Sequence, residues 1–194
     1  MNKERFVTFC DAIIAIIITI MVLEIQPPEV ANFENFSHLL VPMLAYALSF
    51  VTIWGVWRNF HRLFREVDVI SADVYWYTGF WIFTQSFFPF ATSWVGEAPT
   101  VLMPSLFYNM VMTAWMFTFY LIRRGLMKSH PDKTKHFALN VKRGFVPWLV
   151  LGVNYIVVWF YPPIVLINLI VTLPFSFMDR FSLWVAKEQI TEKR

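Results

Sequence analysis

Cysteine is almost missing from this chain of 194 residues: Cys10 stands alone. A single thiol excludes an intrachain disulfide and leaves no cysteine pair for a metal site or a redox motif. Charge is scarce as well, at 15% of residues. The short patterns that accompany common catalytic chemistries are absent: there is no HExxH, no GxSxG, no glycine-rich phosphate loop and no CxxC. These absences argue against an enzyme and give no reason to expect a cofactor.

What the chain has in abundance is apolar surface. Hydrophobic residues make up 58% of it and aromatic residues 19%, more than a water-soluble domain hides, so lipid is the expected solvent. A spanning helix needs about 20 mostly apolar residues, and on that measure the chain divides into six spans. The first runs over 6–25 and ends at Pro27 and Pro28, and the second over 39–63. The third, over 74–95, is aromatic-rich and contains Pro89. The fourth starts near Pro104 and stops at Arg123 and Arg124, followed by a polar stretch over 128–143. The fifth, over 145–161, and the sixth, over 164–185, are joined by Pro162 and Pro163 alone, which implies a hairpin. The basic start followed by an apolar run also fits a secretory signal, but the run has spanning length and no small-residue cleavage site follows it.

Lys and Arg are distributed on one side only. Lys3 and Arg5 precede the first span; Arg58, Arg62 and Arg65 surround the second link; Arg123, Arg124, Lys128, Lys133, Lys135, Lys142 and Arg143 fill the fourth; Arg180, Lys187, Lys193 and Arg194 follow the last span. The first, third and fifth links carry none, only acids such as Glu29, Glu34 and Glu97. Positively charged short links stay cytoplasmic, so both termini are expected inside. The net charge of +3 is thereby assigned to topology, and nucleic acid is not an expected partner. With no convincing self-similarity between the halves, residues 1–194 are expected to form one all-α, multi-pass domain in a cell membrane. The bilayer is its first partner.

The first span holds an ionisable residue, Asp11, a little above its cytoplasmic end. A carboxylate at that depth costs about 3 kcal/mol to insert and therefore faces protein or water and has a partner. Arg5, on the same side, is the natural candidate. At 100° per residue, Ile16, Ile20 and Leu23 share one stripe, with Thr19 at its edge and Asp11 nearly opposite. The stripe faces either lipid or a protein-lined path. Ala12, Ala15 and Thr19 favour close helix contact and hence a central helix.

A second cluster, Trp54, Trp57, Arg58, His61 and Arg62, lies at the cytoplasmic end of the second span. It reads either as an interface belt or as the network that satisfies Asp11, since Trp57 and His61 are four apart and share a face. His130 and His136 are six apart in a basic loop, a spacing that suits a solvated segment better than a zinc pair, although the same stretch would also hold anionic headgroups. Asn109, Asn154 and Asn168 are most simply inter-helix ties.

Arg5-x-x-x-Phe9-Cys10-Asp11, opening an apolar first helix, resembles the RxxxFSD signature of the transmembrane protein 175 family of potassium channels, with Cys10 where the family has Ser. Leu23-Glu24-Ile25, Trp57-x-x-x-His61-x-Leu-Phe and Ser86-Phe-Phe-Pro89-Phe extend the likeness. The resemblance implies a homotetramer of six-helix subunits with the first helix lining a central pore and no carbonyl filter; TVGYG is absent here too. It places the narrowest apolar ring at Ile16, further layers at Ile20 and Leu23, and the pore-facing hydroxyl at Thr19. It assigns Arg5, Asp11, Trp57 and His61 to a structural and gating network. The implied activity is passive K+ permeation with a hydrophobic constriction as filter and gate, no resident metal and no small-molecule substrate. Glu24, at the outer end, would concentrate cations at the mouth, within the limits of screening. A secondary transporter is the rival class, but its discontinuous helices usually carry Gly or Pro near the midplane, and the first span has neither. Proton conduction through Asp11 or His61 is a further alternative, as is a structural protein without transport.

Overall fold

The computed structural model describes residues 2–28, 30, 32–65, 67–131, 145–167 and 170, and all the regular structure among them is helical. The first helix, α1, covers Lys3–Leu23. The Asn2 side chain caps it by accepting from the Glu4 amide at 2.9 Å, and it ends where Pro27 and Pro28 deny the chain further helical turns. Twenty-one residues make a rod of about 31 Å, enough to cross a hydrocarbon core. Its many β-branched isoleucines do not oppose helix formation in lipid, where every backbone N–H and C=O must be satisfied internally.

A short helix, α2, Phe33–His38, starts at an Asn32 cap and leads directly into α3, Leu40–Arg65. Pro42 fits in the first turn of α3 because amides there have no intrahelical acceptor. Past α3 come α4, Ala72–Gln85, and α5, Phe88–Glu97, and then α6, Leu102–Ser129. A further helix, α7, covers Phe145–Val157. Among the described residues, three helical stretches are long and apolar enough to cross a membrane: Lys3–Leu23, Asn35–Arg65 and Leu102–Ser129.

Two expected boundaries differ. The third span is not one helix but α4 and α5, broken at Ser86 and Phe87. Pro89 provides the reason: it has no amide to offer the Gln85 carbonyl, and its ring collides with that carbonyl in a continuous helix. The break is lined with its own donors, since Ser86 Oγ donates to the Phe83 carbonyl at 2.7 Å and Thr84 Oγ1 to the Trp81 carbonyl at 2.8 Å. The fourth span does not stop at Arg123 and Arg124; α6 continues over both to Ser129. Long cationic side chains ride a helix end without breaking it. The expected sixth span lies mostly outside the described residues, as do Lys133, Lys135, His136, Lys142, Arg143, Asn168, Arg180, Lys187, Lys193 and Arg194.

Helix α4 lies along α6 and α3 along α5, with α5 also on α6; α1 packs against α3, α4 and α5, and α7 against α6. The centre is an aromatic stack. Phe60 lies on Trp81 with ring centroids 5.0 Å apart, Trp81 on Trp115 at 6.0 Å, and Phe88 meets Trp115 edge-on at 5.0 Å. A buried hydroxyl chain runs through the same layer, with Thr92 donating to Ser49 Oγ at 3.1 Å and Ser49 paired with the Tyr108 hydroxyl at 2.9 Å. In lipid such packing and hydrogen bonding replace the hydrophobic effect as the force between helices.

At Gly96, α5 passes close to α3. A Cβ built there would sit 2.9 Å from Pro42 Cα, a backbone atom that has no rotamer to turn away. Gly96→Ala is therefore expected to push α5 off α3 and destabilise the fold by about 1–3 kcal/mol, read as a lower unfolding midpoint in detergent. An unchanged midpoint would mean that the two helices are not in contact there.

Candidate functional site

Helix α1 has two faces. Phe6, Cys10, Ile14, Ile17 and Met21 are all at most 6% exposed and recur every three or four residues, the repeat of one helical face. The opposite face is open, with Phe9 63%, Ile16 56%, Ile20 39% and Leu23 74% exposed. Ala12, Ala15 and Thr19 are exposed beside them, as is Arg5 at the N-terminal end. The four residues expected to line a path thus share the face that α1 does not pack within its own subunit.

Three polar anchors hold the buried side. At the N-terminal end, Lys3 Nζ donates to the Val67 carbonyl at 2.8 Å. Higher up, Asp11 Oδ1 accepts from Trp57 Nε1 at 2.8 Å and lies 2.8 Å from His61 Nε2. Because an ionised carboxylate only accepts, His61 meets it through a protonated Nε2, and the ring's edge contact with Trp57, centroids 4.6 Å apart, holds that orientation. Trp54 extends the aromatic row, 5.0 Å from Trp57. At the far end, Ser93 Oγ of α5 is 3.2 Å from the Glu24 carbonyl. Anchored at three heights along one face, α1 has a fixed rotation about its axis, and that rotation determines which residues the open face carries.

The expected pairing of Arg5 with Asp11 is not formed. Six residues advance a helix by about 9 Å and turn it by about 240°, so Arg5 leaves α1 on the open face while Asp11 points to α3. The basic residue that ties down the N-terminal end is Lys3, whose partner is a backbone carbonyl. Asp11 and His61 are each about one-third exposed, 32% and 33%. They border a cavity of about 340 Å³ that Lys3, Glu4, Thr8 and Arg65 also line. The carboxylate is partnered yet reachable by water.

Thr19 has its own local chemistry. Its hydroxyl lies 3.0 Å from the Ala15 carbonyl and 2.9 Å from the Ile16 carbonyl and donates back into the helix. With its proton engaged there, the oxygen presents lone pairs outward, the electronic character a cation requires. Among the described residues no three His, Cys, Asp or Glu side chains converge to hold a metal ion. Asn109 and Asn154, the expected inter-helix ties, are buried in α6 and α7; among the described residues neither Asn109 amide atom nor Asn154 Oδ1 has a hydrogen-bond partner.

The chain is similar to known proteins. Residues 5–89, which contain α1 from Arg5 onward and the Asp11 cluster, match the family model described as endosomal/lysosomal potassium channel TMEM175. A potassium channel of Chryseobacterium sp. (strain P1-3) is 26% identical over 181 residues, covering 84% of this chain and 94% of that one. A potassium channel of Chamaesiphon minutus is 31% identical over 99 residues, 48% of this chain and 49% of that one. The fold resembles the crystal structure of a lysosomal potassium-selective channel TMEM175 homologue from Chamaesiphon minutus, with a TM-score of 0.70 at 24% identity, over 90% of this chain and 97% of that one.

Proposed function

We propose, from the premise that this chain belongs to the TMEM175 family of potassium channels, that four copies of α1 surround a central pore and conduct K+ passively. Six spans with both termini in the cytoplasm, in the plasma membrane of a bacterial cell, complete the reading. The observation that carries it is the open face of α1: an apolar stripe that a subunit leaves uncovered while anchoring the opposite face at three heights. A closed symmetric ring covers such a stripe in every copy at once.

In that ring Ile16, Ile20 and Leu23 form successive apolar constrictions, which gate by wetting and dewetting and select by the cost of stripping water. K+ holds its hydration shell less tightly than Na+, so an apolar ring disfavours Na+ more. Thr19 supplies oxygens between the Ile16 and Leu23 layers and replaces part of the lost shell. Side-chain rings coordinate less completely than stacked carbonyls, so the expected selectivity is modest. Asp11, Trp57 and His61 set the rotation of α1 and thereby the residues in the ring, while Arg5 and Glu24 lie at the two ends of the path.

The test is the bi-ionic reversal potential of the purified chain in planar bilayers with K+ on one side and Na+ on the other. The expected reversal favours K+. A reversal at zero, or the absence of any current, would remove the channel reading.

A further inference from the structure

The Glu24 end of α1 borders a cavity of about 440 Å³ that none of Ile16, Thr19, Ile20 and Leu23 lines. Its walls come from α1, α2, α3 and α5 and from the segment after α1. Two carboxylates, Glu24 and Glu97, line it, and no Lys or Arg does. His38 and Tyr46 are the other ionisable side chains on the walls. The volume falls in the range of about 300–1,000 Å³ typical of small-molecule sites and is far larger than a bare ion requires. Much of the remaining surface is apolar, with Pro42 and the ring of Tyr46 on the α3 side.

We propose that this cavity binds a small organic cation, an ammonium or amidinium group on a compact apolar body. The charged head pairs with Glu97 and Glu24, and the body lies against Tyr46 and Pro42, where an aromatic face adds attraction for a cation. The close approach of Gly96 to Pro42 joins α5 to α3 behind the cavity, so the site is preformed. Occupancy has a route to α1. Ser93 Oγ lies 3.3 Å from Glu97 Oε1 and 3.2 Å from the Glu24 carbonyl, and its single proton serves one at a time. A cation that engages Glu97 releases that proton to the Glu24 carbonyl and tightens the end of α1.

Benzylammonium is the probe, and benzyl alcohol is its neutral analogue of nearly the same shape. Both are titrated by calorimetry into the full chain in detergent, so that binding is read without current and stands or falls separately from the channel reading. Benzylammonium should bind saturably, with benzyl alcohol at least about tenfold weaker, the scale of one lost charge-assisted contact. Glu97→Gln, at an exposed position, should weaken benzylammonium at least about fivefold and leave the unfolding midpoint as in the parent. Ile16→Asn should leave the affinity unchanged. Equal binding of the two probes, or an affinity indifferent to Glu97→Gln, overturns the proposal; a loss with Ile16→Asn instead places the cation in the pore and overturns it equally.

Discussion

Ile16→Asn should increase the K+ current of the reconstituted chain by about an order of magnitude and move the K+ against Na+ reversal potential toward zero. On the scale where about 1.4 kcal/mol of barrier is a factor of ten, that asks the four side chains of the proposed ring for only a few tenths of a kcal/mol each. The direction follows from chemistry. An amide ring keeps the constriction wet and lets Na+ retain water that an apolar ring would strip, so conduction rises while discrimination falls. Position 17 gives the control. Ile17 is 5% exposed and packs on the subunit's own helices, so Ile17→Asn buries an unpartnered amide and should lower stability by about 1–3 kcal/mol without raising the current. If Ile17→Asn opens the channel and Ile16→Asn does not, α1 is rotated relative to the face assigned here.

The two faces of α1 were legible in the sequence because a helix repeats every 3.6 residues, and Ile16, Ile20 and Leu23 keep that repeat opposite Asp11. Trp57 and His61 were legible for the same reason, as an i, i+4 pair at the depth of a buried carboxylate. The Arg5–Asp11 pairing was expected from nearness along the chain, and helical geometry separates the two by about a third of a turn. Lys3 and Ser93 were not found as anchors, because their acceptors are the Val67 and Glu24 carbonyls, and a backbone acceptor leaves no mark in a sequence. Pro89 was visible, yet its effect was not: proline within a spanning segment is compatible with a kinked helix or a broken one. Here the hydroxyls of Thr84 and Ser86 make the break tolerable by donating to carbonyls of the last turn of α4. The cavity beside Glu24 is assembled from four helices and had no sequence signature at all.

Asp11→Ala should be the most damaging single change in the anchoring cluster. It deletes the acceptor that serves both Trp57 Nε1 and His61 Nε2, each at 2.8 Å, and leaves two donors half-buried. Hydrogen bonds to a charged group contribute about 1.5–3 kcal/mol each, and partial exposure reduces that figure, so a loss of about 3 kcal/mol in total is expected. Asp11→Asn keeps a carbonyl oxygen at the same place and should lose less than half as much. If the two variants are equally unstable, the negative charge rather than the hydrogen bonding holds α1. Combining Asp11→Ala with Trp57→Phe isolates the contact, because each change removes one of its two partners: residues that share a hydrogen bond show coupling of about 0.5–3 kcal/mol, whereas independent sites add to within about 0.5 kcal/mol. Additivity in that cycle, measured by denaturant or thermal unfolding in detergent, would mean that Trp57 and Asp11 do not meet. Function supplies the second readout. Lys3 and Ser93 still hold the ends of α1 when Asp11 is replaced, so the helix remains docked, but its rotation between the two ends is less tightly set. Any turn there carries Ile16 out of the proposed ring, and K+ over Na+ discrimination should fall in proportion to the lost coupling, even in variants whose unfolding midpoint is restored by a bound stabilising lipid.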